Sequence, residues 1–415
     1  MTRIVIRGAT LVDGTGHDPE ARDLVVEDGR IAAAPGPGRA VRADMVIDGS
    51  GTTLLPGLTD AHVHMGIVGR PPSLQGERSL VEYVLIVKQV IEQTLLDGFT
   101  TVRDAGGLEP VWARMVEDGR IRGPRILPSG SMITQTGGHG DFRAAHEAVH
   151  RHSPIPGILA SPEVVDGPDA VRRAVREQLR RGATQVKLFV SGGVVSPTDP
   201  LDSIQFSVAE IAAAVEVAAS WGTYVLVHAH TSPAMRNAVE AGARSIEHGS
   251  ILDEETAERI VAAGAFIVPT LIVLDPPAAM SDRMPSLTTA EEAKLARVSA
   301  ASRGSVRLAR DAGIPLGSGS DLIGPDQAGR AWEIVEKARV IGPMAAIESA
   351  TRVNAVLFGL SDRIGTLEPG KDADLILVRG DALARIDAIA EPDGVPLVMR
   401  RGAIVRDDEG RASAG

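Results

Sequence analysis

The sequence predicts an α/β protein: a (β/α)8 barrel joined to a small β domain that both chain ends build together. Three observations predict it. Nearly all-apolar strand-like runs alternate with amphipathic helical segments through the middle of the chain, the pattern of a parallel sheet covered on both faces. Counting the run that carries His62 and His64, these strands number eight, which fits a closed barrel. Both ends instead carry short alternating runs closed by Gly turns. The alternative is a doubly wound open sheet, but no G-x-G-x-x-G follows the first strand.

Residues 1–56 form the first zone. RIVIRGATLVDG and DLVVEDGRIAA alternate and end at Asp-Gly turns, as hairpins do. Residues 57–360 form the barrel zone, with strands expected in DAHVH, TTVRDAG, RILPSGSM, QVKLFVSGG, YVLVHAH, SIEHGS, FIVPTLIV and IPLGSGSD. Between them, residues 80–97 place Leu80, Val84, Val87, Ile91 and Leu95 on one helical stripe. Ser207 and Glu210 make a capping box, and Ser232-Pro233 reads as an N-cap and first helical position. Residues 361–415 return to strands in ADLILVRGD and VPLVMRRGAIVRDDEG.

Composition excludes several functions. A net charge of −11 argues against nucleic acid or an anionic membrane surface as the main partner. The arginines of AVRRAVREQLRRGA read as the solvated face of a helix buried through Val171, Val175 and Leu179. No signal-peptide h-region and no membrane-length apolar run is present, so a soluble cytoplasmic protein is expected. The chain has no cysteine, so any metal ligand must be His, Asp, Glu or a modified residue.

In a barrel the C-terminal strand ends form the active face. His62 and His64 are two apart on a strand, so they share a face and could chelate one ion. Alone, that pair is weak evidence. Other strands end in His228 and His230, in His248 and in Asp321, while Lys187 stands inside an apolar run. A buried ammonium is costly without a partner, which makes Lys187 the most informative of the set. A lone strand-end histidine is ordinarily a loop residue, and Asp321 could merely cap a helix. All of those readings must hold at once to remove the site. His139 stands in TQTGGHGDF, where glycines suit a backbone that approaches a ligand closely. His17, His146, His150 and His152 have no such place.

At these residues the chain resembles the amidohydrolase superfamily, in its imidazolonepropionase-related branch of metal-dependent Xaa-Pro dipeptidases, related carboxypeptidases and ochratoxinase-like amidases. LLPGLTDAHVH, GFTTVRDAGG, TGGHGD, QVKLFVSGG, SIEHGS, AAIESATRVNAVLFGL and GTLEPGKDADLILV carry the resemblance nearly end to end. It implies a distorted (β/α)8 TIM barrel plus a β-sandwich made from both ends. It implies two divalent metals per chain: His62, His64 and Asp321 on one, His228 and His248 on the other, and an N-carboxylated Lys187 bridging them. Zinc is the expected metal. His230 stands where some dipeptidase relatives have a tyrosine that contacts the substrate carboxylate, which leaves it as a carboxylate contact or as the ligand in place of His228.

The activity expected from the resemblance is hydrolysis of an amide in a dipeptide or N-acyl amino acid. A hydroxide shared by the metals attacks, and Asp321 serves as general base and then acid. His139 and His230 are the candidate substrate contacts, with Arg70, Arg78 and Arg143 on neighbouring loops. The alternatives are hydrolysis of a carbamate, urea, lactam or ring C–N bond, or a non-catalytic assembly protein, which would be expected to lose ligands. A homo-oligomer is also expected.

Overall fold

The computed structural model describes residues 2–69, 78–143, 146, 158, 160–196, 199–283 and 286–414. Arg70, His150 and His152 lie outside the described residues. Among the described residues, the strands of the middle zone pair with one another in parallel. One sheet orders Arg125–Pro128, Phe99–Asp104 and Leu58–Val63. A second orders Glu163–Val164, Ile133–Thr134, Val186–Phe189, Val225–Thr231, Ser245–Ile251 and Phe266–Val268. Helices such as Leu80–Leu96, Pro168–Arg181, Val208–Ser220 and Ser232–Glu240 connect successive strands and bury their apolar faces against them. No helix among the described residues is long and apolar enough to cross a membrane.

Backbone hydrogen bonds bridge the edges of the two parallel sheets. Thr184 donates to the carbonyl of Pro128 at 2.8 Å. On the far side, Ile267 donates to Pro315 and Gly317 to Ile267, while Ala61 donates to Ser318 at 2.7 Å and Asp321 to His62 at 2.8 Å. The segment IPLGSGSD, expected as a strand, therefore lies between two strands but carries only one bridge residue, Leu316 opposite Ile267. Its glycines explain the approach. A Cβ on Gly319 would sit 2.5 Å from the Cβ of His62. Side chains replace the missing ladder. Asn354 Oδ1 accepts from Ser318 N at 3.0 Å, and its Nδ2 donates to the carbonyls of Thr59 and Ser318. Asp60 Oδ1 accepts from both His62 N and Ser320 N, each at 3.0 Å.

The chain ends form two further sheets. One is five-stranded, with Ala412–Ala414 beside Met45–Asp48. The other is six-stranded, with Leu375–Arg379 antiparallel to Thr52–Pro56. Each sheet mixes both ends of the chain. Ile6, Leu24 and Ile47 of the first share an apolar core with Leu54, Leu377 and Leu397 of the second.

Local expectations differ from the structure in three further places. Helix Leu80–Leu96 buries Tyr83, Val87, Val90, Ile91 and Leu95, and Leu80 is exposed, because the helix meets the core only from Tyr83 onward. The cap of Ser232–Glu240 is Thr231; the Ser232 hydroxyl instead donates to Ile251 O and accepts from Asp253 N. FIVPTLIV is a strand only over Phe266–Val268, since Pro269 cannot donate to a ladder and Leu271–Leu274 turns helical. The Ser207–Glu210 capping box and the buried Val171, Val175 and Leu179 stripe are present.

Asn354→Ala should leave the buried Ser318 N–H without its partner and take one donor from each of the Thr59 and Ser318 carbonyls. Chemical denaturation should show a loss of at least about 2 kcal/mol, the low end for several unsatisfied buried groups. An unchanged midpoint would mean that the glycine-rich segment holds its place without this side chain.

Candidate metal centre

Parallel register builds the centre. Lys187, Leu226 and Ser245 form one inward row, and Phe189, His228 and Glu247 form the row above it. His230 lies two residues beyond His228 on the same face. His248 and Asp321 reach the cavity by another route: both are non-glycine residues with positive φ, 72° and 56°. Such backbone costs energy and persists where its surroundings hold it. The register also shifts between Ala229 and Thr231, next to His230.

All eight residues expected from the sequence line one cavity of about 590 Å³: His62, His64, His139, Lys187, His228, His230, His248 and Asp321. The ring of His64 donates through Nδ1 to the carbonyl of Gly106 at 2.7 Å, and that of His62 through Nδ1 to Glu247 Oε2 at 2.6 Å. Each tautomer then leaves an Nε2 lone pair free. Those two Nε2 atoms are 3.2 Å apart, and Asp321 Oδ1 is 3.5 Å from the first and 3.2 Å from the second. Two groups of side chains are placed to hold a metal ion: His62 with His248 and Asp321, and His228 with His230 and His248. The second group contains both histidines of the strand Val225–Thr231, so geometry offers two imidazoles where one ligand was expected. They differ in support. His228 donates through Nε2 to Gly192 O at 3.3 Å and stacks on His139 at 4.5 Å, while His230 Nδ1 lies 2.9 Å from Ser250 Oγ.

Electrostatics favour the ligand forms of most of these groups; at His64 burial lowers the imidazole but the neighbouring Asp321 outweighs it and raises it above the usual range. Burial, followed by neighbouring cations, holds His228 and His248 well below the usual imidazole range and His230 at about 3, so these rings are neutral at pH 7. Burial raises the Asp321 carboxyl, but His62, His64 and Lys187 outweigh it and hold the group at about 2. Burial pushes the Lys187 ammonium down to about 8 against the pull of Glu247 and Asp321. Lys187 is 1 % exposed, and its Nζ makes no hydrogen bond or ion pair with any described residue. It lies 5.5 Å from the Phe189 ring.

Beneath the centre lies a support that the sequence reading missed. Glu247 is fully buried, and its two oxygens accept from Arg103 Nη2 at 2.8 and 2.9 Å. Arg103, also fully buried, donates through Nε to Ala61 O. The signal that singled out Lys187, a charge inside an apolar strand, is present at Arg103 and Glu247 too. The His139 ring packs against a glycine of another segment: a Cβ on Gly193 would sit 2.3 Å from it. Its Nδ1 is 3.4 Å from the buried carboxylate of Asp199. Arg78 pairs with Glu82 and Arg143 with Asp141, and neither lines the described cavity. His17 and His146 are exposed away from it.

Comparison with known proteins gives the family. The profile of the amidohydrolase family matches residues 53–405. The chain belongs to that family. It is a hydrolase of carbon–nitrogen amide bonds. Ochratoxinase of Aspergillus niger is 29% identical over 425 residues, covering 97% of this chain and 86% of that one. A prolidase solved in complex with N-methylphosphonate-L-proline is 36% identical with a TM-score of 0.92, covering 98% of this chain and 100% of that one. A Xaa-Pro dipeptidase with methionine bound in its active site is 30% identical with a TM-score of 0.87, over the same shares of the two chains.

Glu247→Gln keeps the shape of the side chain but removes the charge that orients His62 and neutralises Arg103. Zinc affinity, measured by competition with a chromogenic chelator, should fall about 10–100-fold, the range for a lost ligand-orienting partner. Unchanged affinity would mean that Glu247 serves the interior alone.

Proposed function

We propose that this amidohydrolase is a binuclear enzyme that cleaves the amide of a dipeptide or N-acyl amino acid. The observation that carries the reading is Lys187: a buried, unpartnered amine facing the histidines and Asp321. Carboxylation removes the anomaly. The neutral amine attacks carbon dioxide, an N–C bond forms, one proton leaves, and the product is an anionic carbamate whose charge two cations offset. His62, His64 and Asp321 would hold one ion and His228 and His248 the other, and the carbamate of Lys187 would supply a further anionic oxygen donor. Neutral imidazoles and ionised carboxylates are the donors that a divalent ion such as zinc takes.

When bound, such ions acidify water and polarise an amide carbonyl. The chain's own groups do the rest. Asp321 accepts the proton released as water adds to the carbonyl carbon and passes it to the departing nitrogen. His62 is held for its task by Glu247, and His64 by the Gly106 carbonyl. His139 and His230 hold the substrate carboxylate. That assignment draws support from the described cavity walls, which carry no arginine and no lysine except Lys187. The N-methylphosphonate-L-proline bound by the prolidase and the methionine bound by the dipeptidase favour an amino-acid leaving group.

We read the scaffold as a closed, distorted (β/α)8 barrel over residues 57–360, with a β-sandwich from residues 1–56 and 361–415. The hydrogen bonds across both sheet edges and the apolar core shared by the two terminal sheets support it.

Lys187→Ala should lose at least one metal by elemental analysis and nearly all activity, and added short-chain carboxylates should restore part of it. Two metals and full turnover in the variant would overturn the binuclear reading. An N-acyl amino acid should also outpace its C-terminal amide by about 1.5–3 kcal/mol in kcat/KM, the scale of a charged hydrogen bond. His139→Ala and His230→Ala should erase most of that preference while keeping the metals. Equal rates for acid and amide in the unaltered enzyme would remove the carboxylate role.

A further inference from the structure

The cavity has two apolar sides. Ile67, Met132, Phe189 and Ile323 form one cluster, and the His139 ring lies 5.2 Å from that of Phe189. Val273, Leu274, Leu287 and Leu295 belong to a second cluster, on the side of helices Leu271–Leu274 and Thr289–Asp311. From that second side Glu292 also lines the cavity. Apart from Asp321 it is the only acidic side chain in the described lining, and the cation there, Lys187, is buried at the floor.

Glu292 is exposed and lies in the first turn of its helix. An acidic residue at that position is favourable on helix grounds alone. The cap, however, is already made by Thr288 and Glu291. Glu292 has no side-chain hydrogen bond or ion pair with a described residue, and its described neighbours on this wall are apolar except for Ser286. A neutral acyl chain bound there would strip water from that carboxylate without replacing it, whereas an ammonium group would pair with it.

We propose that Glu292 recognises a cationic amine on the acyl half of the substrate, the free α-ammonium of a dipeptide. This rests on the reading above, in which His139 takes the carboxylate. The leaving amino acid then lies along the Phe189 side, and the acyl half, with its amine, lies along the Glu292 side. The enzyme is on this account a dipeptidase rather than a hydrolase of neutral N-acyl amino acids.

The test uses leucyl-phenylalanine and 4-methylpentanoyl-phenylalanine, which share a skeleton and differ by the amine alone. The zinc-loaded enzyme should favour the dipeptide in kcat/KM by about tenfold, the scale of one charge-assisted hydrogen bond. Added salt should narrow the preference. Glu292→Gln should bring the ratio close to one, and Glu292→Lys should invert it. Equal kcat/KM for the two compounds, or a preference that survives Glu292→Gln, overturns this inference and leaves amide hydrolysis standing. Cleavage of neither compound overturns the reading on which it rests, and this inference with it.

Discussion

A lysine ammonium without a partner is the constraint on which the rest of the site depends. Lys187 is buried in a parallel sheet, in a row with Leu226 and Ser245, and no described residue pairs with it. The same interior already contains one satisfied charge pair, Arg103 with Glu247. Breaking a pair of that kind costs about 3–5 kcal/mol, so the fold treats interior charge as something to be matched. Lys187 has no such match among the described residues, and it faces the cavity. The proposed carbamate and two cations give that arrangement a physical reason.

From the same interior, order passes upward. Arg103 fixes Glu247, Glu247 fixes the tautomer of His62, and the free Nε2 atoms of His62 and His64 then meet the Asp321 carboxylate. Asp321 depends on a second set of bonds. Its segment is glycine-rich and nearly without ladder pairing, and Asn354 and Asp60 hold it against the strand that bears His62. The left-handed backbone at Asp321 is the strain that this bracing sustains.

Much of this was legible in the sequence, and for definite reasons. Alternation and apolar runs marked the terminal sheets and the parallel strands, because burial on one or two faces dictates those patterns. Strand-end histidines and a lysine in an apolar run marked the cavity, because such residues are poor core fillers. The failures are as physical. Gly317 and Gly319 allow a backbone approach that no period-two pattern reports, so IPLGSGSD looked like an ordinary strand. Glu247 and Arg103 went unnoticed because each satisfies the other, and sequence shows a buried charge but not its partner. Which imidazole of HAH serves as ligand depends on ring orientation, set by Gly192 and Ser250 from other strands.

The most direct test of the central claim counts zinc bound to the unaltered protein after metal-free chain is reconstituted in carbonate-free or bicarbonate-supplied buffer. A carboxylated Lys187 predicts two equivalents per chain with bicarbonate and fewer without it, along with a carbamate carbon signal when the bicarbonate carries ¹³C. One equivalent under both conditions, with no carbamate signal, would contradict the account.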